Sequence, residues 1–196
     1  IARLNGADLS GANLRERDAE EELLRSIEET QRQGGLDEVA VEMLENVVEF
    51  ADTDVSSVMT PRTEIEGIEY TDDLSEIRAF IEDAGHSRIP VYRDNLDEIE
   101  GILYVKDLIR YLGERAPDFR LGTLLRESIR IPETKHVGDL LRDFQSAEIH
   151  MAIVIDEYGG TSGLITIEDV LEEIVGEIHD EHEPDDEEEP TCTNLG

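Results

Sequence analysis

The middle of this chain is written twice, and that duplication limits the folds open to it. Leu74, Ile77 and Ile81 correspond to Val137, Leu140 and Phe144. The run Ile89-Pro90-Val91-Tyr92 corresponds to Ala152-Ile153-Val154-Ile155, and Gly101-Ile102-Leu103 to Gly163-Leu164-Ile165. The offset is 63 residues up to the second strand and 62 after it, so one residue is lost near Gly159-Gly160. Two copies of one unit tend to pack about a pseudo-twofold axis, and the cleft between them is the first place to seek function. A chain of 196 residues suits one such two-part α/β module.

Each copy reads in the same coarse order: extended segment, helix, strand, loop, strand, helix. In copy one the helix is predicted at 73–84, the strands at 88–92 and 101–105, and the last helix at 106–112. In copy two the corresponding spans are 136–147, 151–155, 163–167 and 168–178. Ile153-Val154-Ile155 and Leu164-Ile165 are apolar on both faces, as strands covered by helices require. Upstream, 18–32 and 37–50 read as helices separated by Gly34-Gly35. The apolar face of the second of these is wide enough to dock on the repeat. A short helix is expected to begin near Asp54 and to end before Pro61. Residues 2–16 carry a five-residue period similar to pentapeptide repeats, but three units cannot stack into a solenoid, so a flexible leader is expected. The organisation is therefore a leader over 1–17, helices over 18–53, units over 54–118 and 119–179, and a solvated acidic tail over 180–196.

Charge constrains partners. There are 50 acidic against 17 basic residues, a net charge of −33. Such self-repulsion weakens a compact state, and at about 1 M salt the Debye length of roughly 3 Å screens most of it, so the composition is halophile-like. No basic face exists to neutralise phosphates along a nucleic acid, so none is expected as a partner. Cys192 is alone, so neither an internal disulfide nor a CxxC metal pair can form, which fits a cytoplasmic setting. No signal peptide is visible and no apolar run is long enough to cross a membrane. The chain begins at Ile1 rather than Met and reads as part of a longer protein. No P-loop, nucleophile elbow or paired catalytic acid is present, so no enzymatic activity is expected. The His179–Glu183 run lacks zinc-site spacing, and no resident metal site is expected.

Gly163-Leu164-Ile165-Thr166-Ile167-Glu168-Asp169 joins a buried strand to a helix. Thr166 and Asp169 have the spacing of a capping box. The same turn presents backbone N–H groups and a positive dipole end, with a hydroxyl and a carboxylate suited to a phosphate and a ribose diol. Cap and ligand site are compatible readings. In copy one, Tyr104 takes the place of the hydroxyl, so one good site and one degenerate site are expected.

Five motifs in order carry a family resemblance. They are Val58-Met59-Thr60-Pro61-Arg62, His86 through Val91, Glu100 through Leu108, His150 through Gly160, and Gly163 through Asp169 followed by Glu172 through Ile178. With the preceding helix they cover about 20–183. The chain resembles a cystathionine-β-synthase (CBS) domain pair, specifically that of the CorC/HlyC magnesium and cobalt efflux family. The resemblance implies an α/β tandem CBS pair: two βαββα-type units about a pseudo-twofold axis, dimerised through their helices into a flat disc. It implies an adenine nucleotide, ATP or AMP, between the copies. By position Thr60 would touch it from the first copy. Ser87, Arg88, Ile89 and Pro90 would line the base and phosphate side, and Thr166 and Asp169 would hold phosphate and ribose. His86 stands where the family often carries an aromatic. ATP entering so acidic a protein calls for Mg2+ on its phosphates. The implied role is regulation of divalent-cation efflux, with a membrane domain or transporter as partner. The rival reading is a dimerisation module with a vestigial cleft.

Overall fold

The computed structural model describes residues 9–111 and 118–176. Helix α1 spans Leu9–Arg32 and α2 spans Glu38–Phe50. Part of the segment expected to be a leader is thus helical. The acid-rich run after it has high helix propensity and i,i+4 pairs such as Glu21–Arg25, which favour one continuous helix. Gly34, at φ +75°, ends the first helical stretch, and Asp37 caps α2 by accepting the Ala40 N–H at 2.7 Å. Val41 and Phe50 are buried, and α2 packs on the last helix of the second copy, while Val39, Leu44 and Val47 stay exposed.

The short helix α3 (Val55–Val58) leads into strand β1 (Thr60–Pro61). Copy one then continues with β2 (Ile68–Glu69), α4 (Leu74–Ala84), β3 (Arg88–Arg93) and β4 (Asn95–Tyr104). Copy two supplies β5 (Ile129–Pro132), α5 (Val137–Ala147), β6 (Met151–Ile155), β7 (Thr161–Thr166) and α6 (Ile167–Val175). The described elements follow the order read from the repeat. Strand β4 starts earlier than expected, because Asp94 takes a left-handed φ of +52° and closes a bulged hairpin in a charged stretch that has no apolar alternation. After β4, a 3-10 helix over Val105–Tyr111 replaces the expected α-helix. Its α-helical counterpart α6 begins with a hydroxyl cap, which Tyr104 cannot supply.

One sheet has the order β2-β3-β4 and the other β1-β7-β6-β5. Each copy thus lends a segment to the other. Strand β1 pairs antiparallel with β7, placing Thr60 opposite Leu164. Reciprocally, Arg126, from the entry segment of copy two, bridges Ile102 of β4. Val55 belongs to the second copy's core with Val137, Leu140, Phe144 and Ile165. Leu121 and Leu124 belong to the first copy's core with Ile77, Ile89 and Leu103. A third apolar cluster joins Ile99 and Ile102 to Met151, Ile153 and Leu164 across the boundary between the copies.

At the ends of β4 and β7 away from their following helical turns, a polar clasp reinforces that boundary. Arg62 donates to Asp97 at 3.1 Å and to the Thr161 carbonyl at 2.8 Å. Asp97 also accepts the Thr161 N–H at 2.8 Å, and the Thr161 hydroxyl donates to the Leu96 carbonyl at 2.7 Å. The Arg62 bond, then the Thr161 N–H, hold the Asp97 carboxyl below its usual range. Thr161, a buried polar residue, therefore has both of its donors satisfied.

Candidate functional site between the copies

The swapped strand β1, the segment before β3 and the β7–α6 turn enclose a cleft of about 430 Å³. That is the scale of a small-molecule site. Thr60, His86, Ser87, Arg88, Pro90, Thr166 and Asp169 all line it, residues separated by up to about 110 positions in sequence. Ile89 is the exception. Along β3 successive side chains alternate faces, so Arg88 and Pro90 face the cleft while Ile89 and Val91 enter the first core, both fully buried. The side chain of Ile89 is therefore structural.

The helix cap and the site share residues. Thr166 Oγ1 accepts the Asp169 N–H at 3.2 Å, and Asp169 Oδ2 accepts the Thr166 N–H at 2.7 Å. Each side chain uses only part of its hydrogen-bonding capacity: the Thr166 hydroxyl proton and Asp169 Oδ1 are not used by the cap. Of the first N–H groups of α6, that of Ile167 bonds the His150 carbonyl and that of Asp169 the Thr166 hydroxyl, so the helix offers the cleft the Glu168 N–H and its dipole end, with a hydroxyl already positioned.

Six lining residues lie outside the candidate site residues read from the sequence: Glu64, Ile65, Glu66, Gly85, Met151 and Leu164. Ile65, Met151 and Leu164, with Pro90, give the cleft an apolar wall. Glu66 pairs with His86 Nε2 at 2.8 Å, which holds the half-exposed imidazole at the mouth rather than as a flat stacking surface.

A seventh, Glu168, bears most directly on function. Arg88 of copy one and Glu168 of copy two form an ion pair across the cleft. The Arg88 side chain is 17% exposed and that of Glu168 59%. Burial raises the Glu168 carboxyl pKa, but the Arg88 bond, a backbone N–H and the Thr166 hydroxyl outweigh it and lower it overall. A carboxylate paired with Arg88 at the N-terminal end of α6 occupies a donor that a phosphate oxygen would use. Glu168 sits between two residues singled out by the motif, but its partner is 80 positions away, so only the fold reveals its role.

Counting the lining charges, Glu64, Glu66, Glu168 and Asp169 face Arg88 and His86. The cleft offers donors for an anion inside an acidic rim. Among the described residues no group of three or more His, Cys, Asp or Glu side chains could hold a metal ion. Among them, too, no helix is long and apolar enough to cross a membrane.

Comparisons with known proteins agree with this geometry. The model of the CBS domain matches residues 55–114 and 123–176. The magnesium and cobalt efflux protein CorC of Vibrio cholerae serotype O1 is 44% identical over 175 residues, covering 89% of this chain and 60% of that protein. The chain thus spans less than two thirds of that relative. A solved CBS domain of a bacterial CNNM/CorC family Mg2+ transporter superposes with a TM-score of 0.75 at 38% identity, covering 82% of this chain and 98% of that one. A structure of such a domain in complex with ATP gives 0.66 at 40% identity, covering 70% and 97%.

Proposed function

Because this chain belongs to the CBS domain family, as a tandem pair of the CNNM/CorC kind, we propose that it is a regulatory module that binds an adenine nucleotide, ATP or AMP, in the cleft between its copies. The supporting observation is the convergence of Thr60, Arg88, Thr166 and Asp169 on one opening beside an apolar wall. Ile65, Pro90, Met151 and Leu164 would face the base, Asp169 Oδ1 the ribose diol, and Arg88 with the Thr60 and Thr166 hydroxyls the phosphates. The acidic rim opposes a bare triphosphate. Mg2+ on the phosphates lowers the ligand's charge before it meets Glu64, Glu66 and Glu168, so ATP binding depends on Mg2+ and AMP binding depends on it less.

Glu168 sets the switch. Without nucleotide it holds Arg88 and ties copy two to copy one. A phosphate that takes Arg88 releases Glu168 and replaces a direct ion pair with a ligand-bridged one, favouring a different relative arrangement of the copies. The parent protein would read that arrangement as the nucleotide state and adjust divalent-cation efflux through a membrane domain or partner. The exposed apolar side chains Leu171 and Val175 on α6, and Ile109 beyond β4, suit a homodimer through the helical faces.

The reading is tested with Glu168→Gln. The variant keeps the shape of the side chain and removes its competition for Arg88 and its repulsion of phosphate. The affinity for Mg2+-free ATP is expected to rise about tenfold, a single charge-assisted contact's worth. Titration calorimetry measures it, and unchanged affinity would remove Glu168 from the mechanism.

A further inference from the structure

Strand β1 carries Thr60 into the cleft, yet its own backbone holds it weakly. It pairs with β7 at two positions, Thr60 with Leu164 and Pro61 with Gly163, and Pro61 has no N–H to give to that ladder. The chain then makes a 3-10 turn over Arg62–Glu64, closed by the Ile65 N–H on the Arg62 carbonyl at 3.3 Å. Glu64, Ile65 and Glu66 follow directly and line the cleft. Arg62 therefore lies between two contributions to the same wall, with Thr60 before it and Glu64 to Glu66 after it.

The Arg62 side chain supplies the anchor that the short ladder lacks. It grips Asp97 near the start of β4 and the Thr161 carbonyl at the start of β7, while the Thr161 N–H donates to Asp97. The three residues close a triangle: one from the entry segment, one from the hairpin of copy one and one from copy two. The Arg62 and Asp97 side chains are partly exposed, so the hold comes from this shared geometry more than from bare attraction between charges. Neither Arg62 nor Asp97 is among the described residues that line the cleft.

The other half of the repeat packs without such a device. Ile99 pairs with Tyr92 as Thr161 pairs with Ile155, so Ile99 is the counterpart of Thr161. Its carbonyl accepts only a long bond of 3.5 Å from Arg130, and it has no hydroxyl. At either repeat offset a glycine, Gly159 or Gly160, stands in place of Asp97. The clasp is thus built only on the side of the strand that delivers Thr60 to the turn capped by Thr166.

We propose that Arg62 and Asp97 are positioning residues for the nucleotide site: by locking β1 and the turn after it against both copies, they place Thr60 and the Glu64–Glu66 wall and so set the affinity of a site they do not touch. The ligand in this proposal rests on the reading above; the positioning itself does not.

The test centres on Asp97→Asn, because positioning and charge predict opposite signs. Removing a carboxylate from a protein of net charge −33 favours an incoming anion, whereas loosening the clasp disfavours it. Mg2+–ATP and AMP are titrated calorimetrically into the intact chain, Asp97→Asn, Arg62→Gln and Arg62→Lys, well below the melting temperature of each. Both nucleotides are expected to bind about tenfold more weakly to Asp97→Asn and Arg62→Gln, the scale of one charge-assisted contact. Arg62→Lys should recover part of the loss, since an ammonium keeps the charge but not the planar fork. Hydrogen exchange of the unliganded protein gives a readout that needs no nucleotide: amides over 59–66 are expected to exchange about tenfold faster or more in Asp97→Asn, while those of β6 stay protected. Unchanged exchange over 59–66 overturns the proposal whatever the titrations give. Faster exchange with undiminished affinity, in a parent that binds, overturns it as well. Faster exchange in a parent that binds neither nucleotide upholds the positioning and sinks the nucleotide reading alone.

Discussion

Arg88→Ala lowers the affinity for Mg2+–ATP by about a hundredfold, equivalent to ~2.7 kcal/mol. Two losses combine. Among the described residues the guanidinium is the only Lys or Arg side chain lining the cleft, and a charge-assisted hydrogen bond contributes about 1.5–3 kcal/mol. Its removal also leaves Glu168 without its cross-cleft partner and facing the incoming phosphates. Part of the measured loss therefore belongs to an uncompensated carboxylate rather than to the missing contact. Arg88→Ala combined with Glu168→Gln should recover part of the affinity, and that non-additivity separates the two terms. Arg88 lies at the start of β3 with its side chain in the cleft, so the fold should tolerate the change. Calorimetric titration of the single and double variants checks both statements. Equal losses in the presence and absence of Glu168 would refute the competition.

Gly163→Ala carries the largest expected effect on the fold. A Cβ at this position would lie 2.4 Å from the Thr60 carbonyl oxygen and 2.8 Å from Met59 Sδ. The first neighbour is backbone and cannot rotate aside, so β1 must separate from β7. Overpacking of this kind costs about 3 kcal/mol, or roughly 6–12 °C in Tm for a chain of this size. Because β1 also carries Thr60 into the cleft, nucleotide binding should fall even in protein that remains folded. Gly101 occupies the corresponding place in copy one, where a Cβ would lie 2.7 Å from the Arg126 carbonyl oxygen. Gly101→Ala should therefore destabilise the chain while leaving β1 and Thr60 in place. Thermal melts of the two variants, followed by titration of each, distinguish them. A Tm within a degree of the parent for Gly163→Ala would mean that β1 does not pack as described.

Much of this arrangement is legible in the sequence because the repeat fixes correspondences before any element is assigned. The Thr166–Asp169 spacing announces both a capping box and a phosphate-accepting turn, and the structure shows the cap while leaving Asp169 Oδ1 outside it. The loss of that cap at Tyr104 is equally visible, and it explains why the counterpart of α6 is a 3-10 helix. What the repeat does not reveal is the exchange of segments between copies. Strand β1 is two residues long, and Arg126 makes a single bridge, so neither leaves a periodic signal. Ile89 illustrates the opposite case: its place within a motif suggests the cleft, whereas simple strand alternation from Arg88 assigns it to the core. The role of Glu168 depends on a partner in the other copy, which no local spacing encodes.

The most direct measurement is calorimetric titration of ATP into the intact chain with and without Mg2+, repeated on Thr166→Ala. The expected result is saturable binding with Mg2+, much weaker binding without it, and loss in Thr166→Ala beyond the ~1 kcal/mol that a missing helix cap alone would remove from stability. Absence of binding to either ATP or AMP by folded protein would contradict nucleotide sensing and leave a dimerisation module in its place.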